Sequence, residues 1–522
     1  DTIPVSTFVD MASGVYPAGS SAFEKRGIAV DVPEWDPTKC AQCNRCAMVC
    51  PHAVIRPVAL TADELAAAPA NTKAVDLKVP KNSGLKYALI ISTLDCTGCA
   101  SCANVCPTKS LTMKPIASQL DSQPVFDALC DIDPKAEVAS DKTVVSTQYL
   151  KPYLEFSGAC AGCGETPYAK LATQLFGDKM YIANATGCSS IWGGSAPSTP
   201  YTVDKHGNGP AWSNSLFEDN AEFGLGMFLA QAQIRSRLAE DAIALKETSV
   251  GKEVQDYLDT FHSTRGNDAP AKALISAIEN TEFDGEAKAA AEDFLKDKDY
   301  AAKKSQWIFG GDGWAYDIGF GGLDHVLAQN QDLNVLVFDT EVYSNTGGQA
   351  SKSTPTGAVA QFAASGKITK KKDLAKIAMS YGYIYVAQVA MGADYNQCLK
   401  AMKEAEAYNG PSLVICYAPC INHGIKMPFN QAEQKKAVEA GYWNLFRFNP
   451  ALVEEGKNPF SLDSKAPTSD YIEFINGETR YSALRRSFPE KADKLFNIAA
   501  ENAVQKYNDL LRTVEYYAPK KD

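Results

Sequence analysis

The chain has 522 residues, of which 45% are hydrophobic and 22% are charged, and its formal net charge is -11. This length exceeds what one hydrophobic core supports and predicts two or three domains of an ordinary globular protein. The negative charge disfavours nucleic acid and anionic membrane surfaces as partners, and no apolar run reaches the length of a membrane span. The first residues lack the pattern of a secretory signal. Because the chain begins with Asp1 rather than Met and its first stretch has little periodicity, we expect a larger segment to precede it.

Cysteine spacing is the most informative local feature. Residues 1–34 have little periodicity and are predicted to be a connector. Residues 35–115 then contain eight of the 15 cysteines in two runs, Cys40-Ala-Gln-Cys43-Asn-Arg-Cys46-Ala-Met-Val-Cys50-Pro51 and Cys96-Thr-Gly-Cys99-Ala-Ser-Cys102-Ala-Asn-Val-Cys106-Pro107. Cysteines this close together in a long chain are more typical of metal ligands than of disulfides. Because such ligands must stay reduced, the runs predict a cytoplasmic, anaerobic setting.

Both runs have the spacing C-x2-C-x2-C-x3-C-P. Three cysteines at this spacing surround one [4Fe–4S] cluster, and the fourth reaches the other cluster. The pattern resembles the bacterial two-cluster ferredoxins, so residues 35–115 are predicted to form a small α+β ferredoxin-like domain. The predicted ligands are Cys40, Cys43, Cys46 and Cys106 for one centre, and Cys96, Cys99, Cys102 and Cys50 for the other. A pair of structural zinc sites is the alternative, but zinc sites need neither the third cysteine nor the proline.

The remaining chain has the pattern of a larger α/β domain. Residues 116–150 are predicted to be a linker. In residues 151–430, glycine-rich turns alternate with strand-like and helical segments, which predicts a mainly parallel sheet with helices on both faces. Residues 216–304 are rich in Ala, Glu, Lys and Asp and are predicted to be a helical insertion. Residues 431–522 are predicted to be a partly helical C-terminal extension.

Four more cysteines fall in three predicted loops of this larger domain. Cys160 and Cys163 form a single C-x2-C pair, whereas Cys188 and Cys420 are isolated. Four thiolates could hold a third cluster, but spacing alone leaves that open. Cys416 is a rival for the last position, although it lies inside an apolar predicted strand and is better interpreted as a small buried residue. Cys130 and Cys398 have the same interpretation.

A glycine-bearing loop follows each of two neighbouring predicted strands. The run from Gln306 ends in Gly310-Gly311-Asp312-Gly313 and precedes a helical pattern, and a second strand leads into Asp339-Thr340-Glu341-Val342-Tyr343-Ser344-Asn345-Thr346-Gly347-Gly348. In parallel sheets such loops form the ligand crevice, where glycines allow close approach to a phosphate. Asp312 and the Thr340 hydroxyl are hard oxygen ligands suited to Mg²⁺. A plain hairpin turn is the alternative for Gly-Asp-Gly, and the helical pattern that follows disfavours it.

These residues carry a family resemblance that covers the chain from about Thr7 to the C-terminal helix. Gly-Asp-Gly followed by Asn345 resembles the thiamine diphosphate motif, and Asp-Thr-Glu-Val-Tyr-Ser-Asn-Thr-Gly-Gly-Gln is similar to the pyruvate:ferredoxin oxidoreductases. The resemblance implies Mg²⁺ ligation by Asp312, Thr340 and the carbonyl of Val342, and a catalytic role for Asn345. It also implies a proximal [4Fe–4S] cluster on Cys160, Cys163, Cys188 and Cys420. The implied cofactor contacts are Glu165, Cys188, Gly311, Asp312, Gly313, Trp314, Thr340, Glu341, Val342, Tyr343, Ser344 and Asn345.

The activity implied by this resemblance is oxidative decarboxylation of pyruvate with coenzyme A to acetyl-CoA and CO₂. Electrons would pass through three [4Fe–4S] clusters to ferredoxin or flavodoxin, in a homodimer. In that family the residues that activate thiamine and hold pyruvate come from an N-terminal region with no match here, so we expect this chain to need that part of the enzyme. An oxidoreductase for another 2-oxoacid and a plain multi-cluster electron-transfer protein remain as alternatives.

Overall fold

The computed structural model describes residues 2–195 and 198–519. The described chain divides into two compact units, each made of several segments. The first unit contains residues up to 178 together with 188–210 and 418–433, and the second contains 179–187, 211–417 and 434 onward. No helix in the described residues combines the length and apolar character needed to cross a membrane.

The first unit contains two small antiparallel sheets. Its strands are β1 (Asp31–Trp35), β2 (Ile55–Leu60), β3 (Val75–Asp76), β4 (Lys86–Ile91) and β5 (Leu111–Pro115). Strand β1 pairs with β5, and β4 lies between β2 and β3. Its helices are α1 (Arg45–Met48), α2 (Ala62–Ala67), α3 (Ser101–Val105), α4 (Ser122–Leu129), α5 (Val144–Thr147), α6 (Thr166–Phe176) and α7 (Cys188–Ser190). Helices α1 and α3 each lie within one of the two cysteine runs.

Residues 116–150, predicted from composition to be a linker, contain α4 and α5. Val125, Phe126 and Leu129 of α4 are buried in the same hydrophobic core as the strands of the first unit. This packing follows from the apolar face of α4, which a short amphipathic helix must bury against a neighbour. The segment is therefore part of the body of the first unit.

The second unit is built on an eight-stranded, mainly parallel sheet. Its strands are β6 (Met180–Asn184), β7 (Ala211–Asn214), β8 (Ser305–Gly311), β9 (Asn334–Asp339), β10 (Tyr385–Val389), β11 (Ser412–Tyr417), β12 (Phe446–Phe448) and β13 (Phe460–Leu462). Their spatial order is β13-β12-β10-β11-β9-β8-β6-β7, and only the pairings of β12 are antiparallel. Every residue of β9, β10 and β11 is buried, as expected for apolar strands in the middle of a parallel sheet. The predicted fold class is confirmed.

Helices come between and after these strands along the chain. They are α8 (Asn220–Ala244), α9 (Gly251–Asp259), α10 (Asp268–Glu279), α11 (Gly285–Lys296), α12 (Phe320–Ala328), α13 (Leu374–Met379), α14 (Tyr395–Ala407), α15 (Asn430–Glu439), α16 (Tyr471–Asn476), α17 (Thr479–Ser487) and α18 (Pro489–Tyr516). Helices α8 to α11 correspond to the predicted insertion and share a core of their own around Leu238, Tyr257 and Phe294. Strands β12 and β13, which come from the predicted C-terminal extension, complete one edge of the large sheet.

The extent of the first unit also differs from the predicted boundaries at four cysteine-bearing positions. The loops of Cys160, Cys163, Cys188 and Cys420 belong to the first unit, together with the two dense cysteine runs. Sequence order had grouped them with residues 151–430. The reason is local packing, because the Asn430 side chain donates to the carbonyl of Gly162 and Gly164 lies against Pro419. The predicted boundaries of independent domains stay a prediction.

Candidate iron–sulfur and diphosphate sites

The two dense cysteine runs adopt the same backbone conformation. Each run has positive φ at three equivalent positions, namely Gln42, Asn44 and Ala53 in the first and Gly98, Ala100 and Lys109 in the second. Such angles are uncommon for residues other than glycine, so their repetition indicates two copies of one loop structure. Backbone N–H groups also point at equivalent sulfurs, from Gln42 to Cys40 Sγ and from Gly98 to Cys96 Sγ, both at 3.4 Å.

The cysteines group across the two runs. The pKa of Cys46 is raised by burial and then by the neighbouring thiols of Cys43, Cys40 and Cys106. Burial likewise raises the pKa of Cys102 well above its usual value, and its strongest thiol neighbours are Cys99, Cys50 and Cys96. The fourth cysteine of each run therefore lies with the first three of the other, which is the crossed arrangement of a two-cluster ferredoxin.

The second of these groups lines a small cavity. Cys50, Cys96, Cys99 and Cys102 all face it, and the remaining wall includes Pro33, Val54, Ile55 and Met113. Four free thiols around an apolar cavity are the donor set that a [4Fe–4S] cluster requires. His52 also lines this cavity, and its Nε2 lies 2.9 Å from the carbonyl oxygen of Ala159. Burial lowers the pKa of His52 to about 4, so the ring is neutral at pH 7.

Cys106 has the most developed hydrogen bonding to sulfur. Its Sγ accepts from the Ser110 backbone N–H at 3.2 Å and lies 3.4 Å from the Ser110 hydroxyl. Burial raises the pKa of Cys106, but the hydrogen bonds from Ser110 and Thr108 outweigh burial, and the net pKa is lowered. Such bonds favour the thiolate, which is the form that ligates iron.

The third predicted cysteine set lies within the first unit. Burial raises the pKa of Cys420 to about 11, and Glu165 and Cys160 add negative charge beside it. Cys163 is half-buried beside Glu165 and Cys420, and its Sγ accepts from the Glu165 backbone N–H at 3.4 Å. Cys160, Cys163 and Cys420 are therefore close together. Cys188 begins α7 in the same unit.

Glycine is required where the two loops of this set meet. A Cβ atom on Gly164 would lie 2.5 Å from the carbonyl oxygen of Pro419 and 2.8 Å from its nitrogen. Only a residue without a side chain allows Cys163 and Cys420 to approach from these two loops. Their neighbour Glu165 is buried, its carboxylate accepts from the indole N–H of Trp192 at 2.8 Å, and burial raises its pKa to about 7.

The other cysteines have no such setting. Cys416 lies in β11 and is fully buried, with Cys398 as a neighbouring buried thiol. The Sγ of half-buried Cys130 lies 3.7 Å from the carbonyl oxygen of Asp127. Cys416 therefore belongs to the buried interior of the second unit.

The second unit brings the three predicted Mg²⁺ ligands together. Asp312 follows β8, and Thr340 and Val342 follow the adjacent parallel strand β9. The Thr340 hydroxyl oxygen lies 2.9 Å from Asp312 Oδ1 and 3.0 Å from the carbonyl oxygen of Val342. Asp312 Oδ1 also accepts the Thr340 backbone N–H at 3.1 Å, so the three oxygens are held close enough together to ligate one cation. This hard-oxygen set fits Mg²⁺, which takes few protein ligands when it bridges phosphates.

The residues on either side of Thr340 belong to a buried ionic cluster. Lys371 Nζ lies 2.9 Å from Asp339 Oδ2 and 2.9 Å from Glu341 Oε1, so one ammonium bridges the carboxylates on either side of Thr340. Arg480 pairs with Glu341 at 2.7 Å, and Glu341 has a positive φ of 62°. The Glu341 side chain thus points into the ionic cluster. The cofactor contact predicted for Glu341 stays a prediction.

Sequence reasoning did not find Lys371. A Lys-Lys-Lys run such as residues 370–372 is usually a solvated surface, so the motif itself carries no signal. The available signal was Asp339 and Glu341, two acidic residues directly after a fully apolar strand. Buried carboxylates need a cationic or hydrogen-bonding partner, and the structure provides Lys371 and Arg480.

The electrostatics of Asp312 also favour a bound cation. Asp312 is completely buried, and burial followed by the charge of Asp339 raises its pKa well above the usual value. Its other oxygen, Oδ2, accepts from the Ser351 hydroxyl at 2.6 Å, which fixes the orientation of the carboxylate. A divalent cation would offset the repulsion between Asp312 and Asp339 that burial makes costly.

The remaining predicted contacts differ in exposure. Gly313 is buried, and a Cβ there would lie 2.4 Å from the Tyr343 ring, so the two loops pack directly. In front of Gly311 a Cβ would meet nothing closer than 3.9 Å, which leaves room for a ligand. Asn345 is exposed, Ser344 is half-buried, and the Trp314 ring is buried in the sheet core. Glu165 and Cys188 belong to the first unit, so their cofactor contacts stay a prediction.

Three matches to protein families agree with these two sites. Residues 287–416 match the C-terminal TPP binding domain of thiamine pyrophosphate enzymes, and residues 32–55 and 89–112 each match a 4Fe-4S binding domain. Residues 1–29 match a domain of unknown function. Together with the mainly parallel sheet and the crossed cysteine groups, these matches define a thiamine diphosphate-binding iron–sulfur protein.

Relatives specify the family. The chain is 55% identical over 513 residues to the pyruvate:ferredoxin oxidoreductase of Moorella thermoacetica, which covers 96% of this chain and 44% of the relative. It is 53% identical to the pyruvate-flavodoxin oxidoreductase of Klebsiella pneumoniae, with 96% and 43% covered. It is 45% identical to the mitochondrial pyruvate dehydrogenase [NADP(+)] of Euglena gracilis, with 99% and 29% covered. Over almost its whole length the chain is similar to pyruvate:ferredoxin and pyruvate-flavodoxin oxidoreductases, and it spans less than half the length of these relatives.

Proposed function

We propose that this chain works in the oxidative decarboxylation of pyruvate with coenzyme A to acetyl-CoA and CO₂. The reaction releases two electrons, which would leave one at a time through three [4Fe–4S] clusters to ferredoxin or flavodoxin. The observation that carries the proposal is the convergence of Asp312, Thr340 and the Val342 carbonyl beside a glycine-bearing loop, in a chain with crossed ferredoxin cysteines. An electron carrier alone has no need of that oxygen set.

Each residue at the predicted diphosphate site has a defined task in this proposal. The segment Thr340–Asn345, which follows β9, is called the diphosphate loop. Asp312, Thr340 and Val342 would hold Mg²⁺, and Gly311 and Gly313 would let the backbone approach the diphosphate. Bound thiamine diphosphate would supply the electron sink that makes loss of CO₂ possible. Asn345 would contact the cofactor from the exposed side of the loop. Lys371 and Arg480 would keep the loop in shape through their ion pairs with Asp339 and Glu341.

One contact within the first unit supports a particular order for the electron relay. The Gly162 backbone N–H, between Cys160 and Cys163, hydrogen-bonds to Cys99. This contact supports transfer from a proximal cluster on Cys160, Cys163, Cys188 and Cys420 to the cluster on Cys96, Cys99, Cys102 and Cys50. The cluster on Cys40, Cys43, Cys46 and Cys106 would then be the exit to the acceptor protein.

The whole activity is proposed for an enzyme longer than this chain. The curated relatives are more than twice as long, and the groups that activate thiamine and hold pyruvate have no match among the motifs found here. We propose that an N-terminal part of the same enzyme supplies them, in a cytoplasmic homodimer. The chain alone should therefore bind its clusters and turn over pyruvate slowly or not at all.

Anaerobic analysis of iron, sulfide, Mg²⁺ and thiamine, with electron paramagnetic resonance during reductive titration, tests the proposal. About twelve iron atoms, as three cubanes require, and one thiamine per chain are expected. About eight iron atoms with thiamine would refute the assignment of a proximal cluster to Cys160, Cys163, Cys188 and Cys420. Iron without thiamine, in chain supplemented with its N-terminal part, would favour the plain electron-transfer protein. Activity of that assembled enzyme with 2-oxoglutarate but not with pyruvate would reassign the substrate.

A further inference from the structure

Helix α6 carries a lysine into the body of the ferredoxin-like runs. Lys170 is only 3% exposed, and every residue of α6 is buried. Its ammonium donates to the main-chain carbonyls of Ala47 and Cys50, with Nζ 3.2 Å from the Cys50 oxygen. Both carbonyls belong to the short segment that joins Cys46 to Cys50. Lys170 therefore contacts the segment between Cys46, which belongs to one cysteine group, and Cys50, which belongs to the other.

No carboxylate compensates this charge in the described residues. Lys170 forms no ion pair there, and its charged neighbours are the thiols of Cys50 and Cys46 and the guanidinium of Arg56. Arg56 differs, because it is equally buried but pairs directly with Glu155. Lys170 instead donates to the two main-chain carbonyls of Ala47 and Cys50. A buried cation without a carboxylate is costly unless another negative charge lies nearby.

The two cysteines beside Lys170 belong to different groups. Cys46 lies with Cys40, Cys43 and Cys106, and Cys50 lies with Cys96, Cys99 and Cys102. A cluster ligated by four thiolates is an anion, and reduction adds one further negative charge. A fixed cation in a low-dielectric surrounding stabilises the reduced form more than the oxidised form and so raises the reduction potential.

We propose that Lys170 is a positioning residue for both ferredoxin-type clusters: it clamps the Cys46–Cys50 segment through two carbonyls and raises the potentials of both clusters through its charge. The inference rests on the proposed function, because it requires clusters on these cysteines. It adds that one side chain tunes both potentials together. If both potentials fall together when Lys170 is changed, the driving force for electron transfer between the two clusters is unchanged. The driving force for electron transfer from the proximal cluster to them becomes smaller.

Potentiometric titration of the full chain, followed by electron paramagnetic resonance, tests this role. Lys170→Met, which keeps the length and loses the charge, should lower the potentials of both clusters. We expect at least a tenfold fall in the reduced-to-oxidised ratio at fixed ambient potential, equal to 59 mV for a one-electron couple. Lys170→Arg keeps the charge and should retain most of the wild-type ratio. Lys303→Met removes a lysine that pairs with Asp332 in the second unit and should leave the ratio unchanged.

The outcomes separate failure of this inference from failure of the proposed function. Wild-type chain without about eight irons on the ferredoxin cysteines would refute the cluster assignment itself. Full iron content in Lys170→Met with wild-type potentials would refute the role of Lys170. A shift in one signal only would refute the proposal that its charge acts on both clusters. If Lys170→Met loses iron, Lys170→Gln, which is neutral and polar, should retain iron and show the lowered potentials, and wild-type potentials in that variant would refute the inference.

Discussion

Replacement of Lys371 by methionine should damage the diphosphate loop specifically. Lys371 contacts Asp339 and Glu341, both at 2.9 Å, and these carboxylates are almost completely buried on either side of Thr340. Removing one member of a buried ionic cluster leaves uncompensated charge and costs about 3–5 kcal/mol. We expect about 3 kcal/mol, the low end of that range, because each carboxylate keeps other partners. Asp339 retains the Tyr316 hydroxyl at 2.8 Å, and Glu341 retains Arg480.

The same change should weaken binding of Mg²⁺ and thiamine diphosphate at least tenfold, or about 1.4 kcal/mol. The reason is that repulsion between Asp339 and Glu341 distorts the backbone that aligns Thr340 and Val342 with Asp312. Titration calorimetry with thiamine diphosphate at fixed Mg²⁺ measures the affinity, and denaturant unfolding measures the stability. Both are made on the full chain together with its N-terminal part.

Lys303→Met is the matched control for this experiment. Lys303 is a mostly buried lysine of the same unit that pairs with Asp332 and donates to the carbonyl of His262. Its loss should lower stability while leaving cofactor affinity close to the wild-type value. Equal affinity losses in the two variants would mean that general destabilisation explains the effect. Unchanged affinity in Lys371→Met would refute the bracing of the loop by this lysine.

Three further predictions concern the clusters and the core. Cys106→Ala should remove the same resonance signal as Cys40→Ala and not that of Cys96→Ala, because the cysteines group across the runs; the opposite pairing would refute the crossed assignment. Gly164→Ala should lower the iron content by about four atoms, because the added Cβ would lie 2.5 Å from the Pro419 carbonyl oxygen. The control variant Gly226→Ala, whose Cβ would meet nothing within 4 Å, should keep the full iron content. Burial raises the pKa of Glu406, which accepts from Ser305, Trp307 and Asn334. The folded state thus holds a proton that the unfolded state releases above about pH 4.3, and stability falls as pH rises through the folded pKa. The stability of Glu406→Gln relative to wild type should therefore increase between pH 4 and pH 8 in urea unfolding, and a difference independent of pH would contradict this.

Local patterns in the sequence were sufficient for several features. The apolar run Ser412–Tyr417 coincides with β11, and the predicted C-terminal helix lies inside α18. The spacing of the two dense cysteine runs already contained the crossed grouping, because that geometry follows from how a short loop wraps a cluster. The family motif likewise named Asp312, Thr340 and Val342 before their distances were known. Such features depend on neighbours along the chain, and periodicity and spacing record them directly.

Other features depended on contacts between residues far apart in sequence. Composition predicted residues 116–150 to be a linker, yet α4 packs into the core of the first unit, since the partner that buries its apolar face lies elsewhere in the chain. Strands β12 and β13 join the large sheet from the predicted C-terminal extension, and hydrogen bonds to β10 decide that position.

By itself, the sequence determined the fold class, the cysteine runs and the diphosphate motif, because each is a local arrangement of residue types. Only the tertiary structure decided that Lys371 bridges Asp339 and Glu341, and that Lys170 lies against the Cys46–Cys50 segment. Both lysines look like ordinary solvated residues in the sequence. The physical reason for the difference is burial: a lysine acquires a specific task when folding removes it from water and leaves it only a few oxygens or thiolates as partners.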